Sequence, residues 1–414
     1  MKRRLLFISA FIFSLGSIYA QGEMDAYKLS RNGLTGTARS VAMGGAFGAL
    51  GGDVSGIKIN PVGIGVYTKT EIVTTLNFQN AKTSAEMNLG KLDESKFKFS
   101  FDNLAFVSSL QTYNDVAPYL NFGFSFNRLK NFNRKFTSDG ENMRNSLTDY
   151  MAAYSTSQGF TPYDLSLKDN DDAWGGFNTW LPVFGYNAFL INEDPVGSNK
   201  YSSLAKPEYA NLFWQEKGYI DSYDFNFGTT FADKLSVGLT VSVTDIDYHI
   251  YSSYIEEYGV VGGYNNYYEL QNWTKTEGGG YQVSAGLIYK PIDELRIGVS
   301  YHSPTWYNMT DYYEARLDHD ITDIVSNSEY KSGWIGSPNG VYDYKMYTPD
   351  KWTFSLAGVI GQTAIISADY ELTNYKNMKL KHRDSGLLDW NPNPIIKDDF
   401  KTASTLRVGA EVRF

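Results

Sequence analysis

Four histidines, His249, His302, His319 and His382, are the residues of this 414-residue chain whose chemistry asks to be weighed first. A histidine can ligate zinc or haem iron. No two of these four have metal-ligand spacing, and His302 sits on the polar face of an alternating run while the others fall in or near polar stretches. His302 and Ser303 are neighbours, the wrong geometry for a base serving a nucleophile, and such roles are set by three-dimensional placement. Asp169, Asp171 and Asp172 could hold a calcium ion through carboxylate oxygens, but a solvated acidic loop accounts for them as well. Gly45, Gly48 and Gly51 suggest a dinucleotide-binding loop, yet no apolar strand precedes them and no βαβ unit follows. There is no cysteine, which excludes disulfides, thiolate metal sites and a lipid anchor on a post-cleavage cysteine. The chain therefore reads as a non-enzyme with no metal and no cofactor.

The elements that would position these residues are strands. From Ser404 to Phe414, Leu406, Val408, Ala410, Val412 and Phe414 alternate with Arg407, Gly409, Glu411 and Arg413. Side chains of a strand point to opposite faces with period two, so one face is apolar and the other charged. The same dyads recur at Leu120–Phe126, Tyr223–Phe231, Leu235–Val243, Tyr281–Tyr289, Leu295–Tyr301 and Trp352–Ile360, with a weaker one at Ile72–Phe78. Fainter candidates lie near 100–110, 265–275, 310–318, 341–347 and 363–371. A membrane barrel turns such faces apolar towards lipid and polar towards its lumen, in segments of about ten residues.

The N-terminus agrees with export. Lys2, Arg3 and Arg4 precede an apolar run from Leu5 to Leu15, and Ile18-Tyr19-Ala20 offers a cleavage site before Gln21. This is the pattern of a secretory signal peptide, too short to span a membrane as a helix. Without it the chain carries 34 basic and 46 acidic residues, a net charge of −12, so nucleic acid is not an expected partner. Tyr, Phe and Trp make up 16% of the residues and mean hydropathy is −0.35, as in barrels with aromatic girdles. Short links at 232–234, 290–294 and 361–362 alternate with long polar stretches at 129–218, 245–280, 303–350 and 372–403. That is the asymmetry of periplasmic turns and extracellular loops. Within the first long stretch, Met143, Leu147, Tyr150, Met151 and Tyr154 recur at helical spacing after a possible N-cap at Ser138. The stripe either packs on neighbouring loops or lines a groove for a greasy ligand, since methionine adapts to varied apolar shapes.

Residues 21–69 do not read as a membrane strand. Small residues from Gly44 to Asp53 are followed by Asn60-Pro61-Val62-Gly63, a composition that lets backbones approach closely, as a compact plug would need. Ser40-Val41-Ala42-Met43-Gly44-Gly45-Ala46-Phe47, then Asn60-Pro61, resembles the N-terminal hatch of the long-chain fatty acid transporter (FadL-type) family of Gram-negative outer membranes. Arg296–Pro304, Ala368–Tyr375 and Leu406–Phe414 share the resemblance. It implies an all-β, transmembrane antiparallel β-barrel of about 14 strands, monomeric, with a hatch inside its lumen and helical extracellular loop segments. The corresponding division is a signal peptide over 1–20, a hatch over 21–70 and the barrel over 71–414. It also implies passive uptake of hydrophobic or amphipathic compounds such as long-chain fatty acids, in contact with outer-membrane lipid, gated by Asn60, Pro61, Val62, Gly44 and Gly45. Some relatives carry the label haemin receptor, which leaves a haem-binding receptor as an alternative beside a general porin and a structural or adhesive barrel. Val62 departs from the alanine usual in the family's triplet. The stretch matching Leu406–Phe414 is followed by further strands in longer relatives, so the chain either closes a reduced barrel at Phe414 or is a shortened sequence.

Overall fold

The computed structural model describes residues 22–175, 180–204, 206–261, 264–322, 330–361, 363–383 and 391–412; the expected signal peptide and Phe414 lie outside them. Strands dominate. In chain order they are β1 (Glu71–Met87), β2 (Gly90–Gln111), β3 (Tyr119–Glu141), the short pair β4 (Ile191–Glu193) and β5 (Tyr201–Ser203), β6 (Tyr209–Phe231), β7 (Leu235–Val261) and β8 (Tyr264–Ile292). β9 (Leu295–His302), β10 (Trp306–Thr322), β11 (Tyr330–Gly336), β12 (Gly340–Tyr347), β13 (Lys351–Ile360), β14 (Ala364–Asn374), β15 (Lys379–His382) and β16 (Thr402–Val412) follow. All but β4 and β5 belong to one curled antiparallel sheet of 14 strands. Its path runs β1-β2-β3-β6-β7-β8-β9-β13-β14-β16, and β10, β11, β12 and β15 continue the wall upward from its middle. β8 shows how: its residues 284–292 pair with β9 and its residues 267–281 with β10, so two segments in series line one edge. Among the described residues no register joins β1 to β16.

The outer face of the lower wall is apolar. Phe106, Phe124, Phe225, Val241 and Val283 stand opposite one another across five strands. Phe225 and Phe227 are 47% and 52% exposed, whereas Asp224 and Asn226, beside and between them, are 3% and 2% exposed. This inverts the arrangement of a soluble sheet, and it continues to β16, where Leu406, Val408 and Val412 are exposed and Gly409 is buried. An exposed apolar face this large is a surface for lipid, and a stretch such as Tyr223–Phe231 has the length a tilted spanning strand needs, about nine residues. No helix of the described residues is long and apolar enough to cross a membrane.

Above that belt the chemistry of the two faces exchanges while the pleat runs on. On β7, Leu239, Val241 and Val243 point outward, but higher up the outward residues are Asp245, Asp247 and His249 and the inward ones Ile246 and Tyr248. Of the stretches expected to be long loops, 245–280 is therefore strand over nearly all its described length and 129–218 is wall strand at its two ends, because β7 and β8 reach Val261 and Tyr264, while β3 runs to Glu141 and β6 starts at Tyr209. The inward side chains here form an apolar cluster that includes Leu129, Phe132, Ile220, Ile246, Tyr248, Met309 and Met346.

The described residues between 142 and 208 close the upper end. Their helices, α4 (Leu147–Gln158), α5 (Pro162–Leu165) and α6 (Leu181–Asn187), pack with Tyr268, Leu270, Leu317 and Ile321 of the wall. The expected helix forms, but its N-cap is Ser146 rather than Ser138, which lies within β3. Ser146 and Asp149 make a capping box, and Gly159 ends the helix in the left-handed conformation (φ 67°). Met151 of the expected stripe is fully buried in this cluster, the packing reading of the two. Asp169 accepts a hydrogen bond from Ser166 Oγ at 2.7 Å.

The cap hangs on one carboxylate. Glu256 of β7 is 0% exposed and accepts from the Leu147 amide (2.9 Å), Tyr254 (2.7 Å) and Tyr268 (2.9 Å), as well as from Ser146 and Tyr258. Removing it takes the acceptor from five donors in a dry site, each costing about 1–3 kcal/mol if left unpaired. Glu256→Ala is expected to make residues 142–208 protease-sensitive while the lower wall keeps its resistance, as limited proteolysis followed by mass spectrometry reads directly.

Candidate functional site

The N-terminal segment precedes the wall in sequence and lies against its polar inner face. It contains α1 (Glu23–Ser30), α2 (Ala38–Ala42), α3 (Val54–Ile59) and a 3-10 turn over Pro61–Ile64. Short helices hold here because side chains cap them. Thr37 caps α2, Asp53 accepts from the Ser55 amide at 2.9 Å at the start of α3, and Thr37 donates to Asp53, tying the two helices together. Asn60 caps the 3-10 turn through the Val62 amide and donates Nδ2 to the Gly48 carbonyl at 2.7 Å. Pro61 opens that turn, where a missing N–H is no loss. Gly44 and Gly45, at φ 63° and 74°, make the sharp reversal after α2 that a residue with a Cβ resists.

One row of the wall seats residues 59–67. Asn121, Gly228, Gly238, Gly286 and Ser300 stand opposite one another on β3, β6, β7, β8 and β9. A Cβ on Gly238 would lie 2.4 Å from the Pro61 carbonyl oxygen, and one on Gly286 1.8 Å from Asn60 Oδ1. The flanking residues donate: Ser300 to the Ile59 carbonyl (2.9 Å), Asn121 to the carbonyls of Ile64 and Tyr67 (both 2.9 Å). Gly65 O accepts from Thr230 at 2.7 Å. His302 completes the seat: its Nε2 lies 3.0 Å from the Ile59 carbonyl oxygen and its Nδ1 2.8 Å from Ser284 Oγ, so both ring nitrogens are taken up within the protein. Burying carbonyls against a sheet whose own groups are already paired is feasible only with such donors.

A second zone holds residues 39–50. A Cβ on Gly409 would come 2.4 Å from the Met43 carbonyl oxygen, and one on Gly298 2.6 Å from that of Gly48. Asp369 accepts from the Gly48 amide (2.9 Å), Arg296 donates to the Leu50 carbonyl (2.6 Å), and Arg39 pairs with Glu411 at 2.8 Å.

Of the residues expected to gate, Asn60, Pro61 and Val62 thus come together over the β7–β8 glycines, while Gly44 and Gly45 lie apart, against Val408 and Arg407 of β16. Sequence reading missed the wall's half of the contact, Gly228, Gly238, Gly286, Gly298 and Gly409. The signal was there, since glycine weakens a strand and in an alternating run marks close backbone approach.

α1 sits higher, in the apolar chamber. Ala26 and Leu29 are buried against Leu129, Phe132, Ile220 and Ile246, and Tyr27 packs on Tyr375 and Phe400. Lys28 reaches Glu216 Oε1 at 2.8 Å and also the Tyr248 hydroxyl. Burial pushes the Asp25 carboxyl above the usual carboxylate range. Beside the β3 bulge at Leu129, a cavity of about 400 Å³ opens between residues 31–35 and the wall residues Asn77, Asp102 and Arg128.

Lys58, on α3, is the odd group out. Its ammonium is buried without a hydrogen-bond partner, with Asp224 and Asp221 attracting it and Lys351 repelling it, and burial lowers its pKa. The remaining histidines do not converge: His249 pairs with Asp247 at 2.9 Å on the outer face, His319 is buried on β10 and His382 ends β15.

No family model matches the sequence, and no curated protein does. Among solved structures the chain is similar to a Pseudomonas aeruginosa FadL homologue, with 10% identity over 92% of this chain and 77% of that one, at a TM-score of 0.46. It is also similar to the monoaromatic hydrocarbon channel CymD (12% identity, 91% and 79% covered, TM-score 0.43). A third is the Ralstonia pickettii toluene transporter TbuX (14% identity, 91% and 82% covered, TM-score 0.40).

Two expectations follow from the seat. Gly238→Val should drive Pro61 off the wall at a cost of about 3 kcal/mol, whereas Gly358→Val, with nothing within 4 Å of its Cβ, should not. Hydrogen exchange at residues 54–64 distinguishes the two. Lys58 in the seated state has a pKa below its ordinary value, so the seated state holds fewer protons than the released one and seating strengthens as pH rises towards the usual lysine range. Lys58→Met should flatten that slope, measured as urea-induced release of a fluorophore on Val41→Cys in this cysteine-free chain.

Proposed function

We propose that the protein is an outer-membrane channel for passive uptake of hydrophobic or amphipathic small molecules. The observation that carries this reading is an apolar upper interior, packed about α1, within a wall whose lower outer face is itself apolar. A general porin needs an open polar lumen, whereas here the upper interior is lined by Phe132, Ile220, Ile246, Met309 and Met346 and occupied by α1. A dry apolar pocket gives a greasy solute a route past water and polar headgroups. Long-chain fatty acids are the example to which the sequence resemblance leads. Residues 1–20 are the export signal, cleaved near Ala20; 21–70 form the hatch; 71–414 form a monomeric barrel. Uptake uses no enzymatic step.

In this reading the cap admits the ligand, the chamber binds it, and the hatch moves to let it pass. Asn60, Pro61 and Val62 are the point at which it unseats, with Gly44 and Gly45 as the second attachment. The seat suits release, because its bonds go to main-chain carbonyls at the edge of a short turn and can be exchanged for water.

Deleting residues 22–65 should leave a wall that still inserts into bilayers, carries larger steady currents, and no longer retains ligand, because the chamber has lost its floor. Planar-bilayer conductance and mass spectrometry of lipids co-purified from the native membrane test this together. Small currents with ligand retained would overturn the gating role of the segment.

A further inference from the structure

The chamber beneath the cap is filled by a piece of the chain itself, and the way it is held describes what could replace it. Lys28 meets the wall at both ends. Its ammonium donates to Glu216 and to Tyr248, and its carbonyl accepts from Lys130 Nζ, which also reaches the Arg31 carbonyl at 3.1 Å. When α1 leaves, three wall groups lose partners: Glu216, Tyr248 and Lys130. Glu216, 4% exposed, keeps Arg134 (2.8 Å) and the Trp214 indole (3.0 Å), all on Oε1, and loses the one cation that came from inside the chamber. Lys130 loses both carbonyls and keeps the face of Phe132, 5.1 Å from its ammonium. A carboxylate short of one of its two cations and an ammonium short of both its carbonyls are thus left facing the space that α1 vacates, separated by about the span of one lysine residue, and a lost charge-assisted bond at a buried or half-buried group is costly.

Resting on the uptake reading above, we infer that the chamber takes an amphiphile with a bipolar head. A cationic N–H donor binds Glu216 and Tyr248, a hydrogen-bond acceptor binds Lys130, and an apolar tail replaces Ala26 and Leu29 against Leu129, Phe132, Ile220 and Ile246. α1 is the tethered stand-in for this ligand. A simple fatty acid satisfies Lys130 but sets its charge against Glu216; a simple alkylamine satisfies Glu216 and leaves Lys130 bare.

The test is a competition on the full chain in detergent, read by native mass spectrometry with equimolar dodecanoate, dodecylamine and N-dodecanoylputrescine. In the last, amide carbonyl and ammonium are separated by as many chain atoms as in a lysine residue. N-Dodecanoylputrescine should be retained about tenfold over either rival, the worth of one charge-assisted hydrogen bond. Lys130→Met should erase its advantage over dodecylamine, Glu216→Gln its advantage over dodecanoate, and Lys28→Ala should raise its retention by weakening the stand-in without touching the wall. Equal retention of all three, or a preference for dodecanoate, overturns the bipolar site and leaves amphiphile uptake standing. Retention of none, by the parent protein and Lys28→Ala alike, overturns the uptake reading and this one with it.

Discussion

The structure turns on the direction in which its apolar side chains face. In the lower wall Phe124, Phe225, Val241 and Leu406 point away from the curl, so the interior receives what is left: Asn121, Asp224, Asn226, Thr240, Ser284 and Asp369. A polar interior of this width cannot collapse on itself as a core does. It must hold water or be filled by something that satisfies it, and carbonyl-rich, helix-capped main chain is a material that can. The N-terminal segment is therefore less a domain with its own core than a lining cut to the wall. Its clusters are small, and they borrow Ala105, Val107 and Ala357 from the strands.

Higher up the same strands behave like those of a soluble protein, apolar within and charged without. The switch is abrupt on β7, between Val243 and Ile246. It creates two zones within one curled wall, a polar one below, holding the seat of Asn60 and Pro61, and an apolar one above, holding α1 under the cap. α1 and the seat bracket the boundary between the two.

How much of this the sequence disclosed follows the same division. Belt strands were legible because period-two alternation with aromatic residues is strong at Tyr223–Phe231 and Leu235–Val243. Their upper continuations were not. In Ile246-Asp247-Tyr248-His249-Ile250 the dyad persists, but its polarity is reversed and its charges look like loop. The helix at Leu147–Gln158 was visible by period, while its cap was misplaced because Ser138 and Ser146 both have an acidic residue three positions on, Glu141 and Asp149, and only the pairing of β3 with β6 out to Glu141 rules out the first. Asn60 and Pro61 stood out by residue type. Their partners did not, since the alignment of Gly228, Gly238 and Gly286 depends on the registers of three strands. The pairing of Lys28 with Glu216, 188 residues apart, lay beyond any local pattern.

The glycine row has one more consequence. Where two side chains interlock, each side constrains the identity of the other, and a change on one calls for a change opposite. Here the wall presents bare backbone, and what lies over it is the Asn60 side-chain oxygen at Gly286, the Ile64 side chain at Gly228 and the Pro61 carbonyl at Gly238. The turn keeps its shape through that same Asn60, whose side chain accepts from the Val62 amide. Drift should therefore be tied across this contact, with the inner glycines and the turn they carry changing together or not at all.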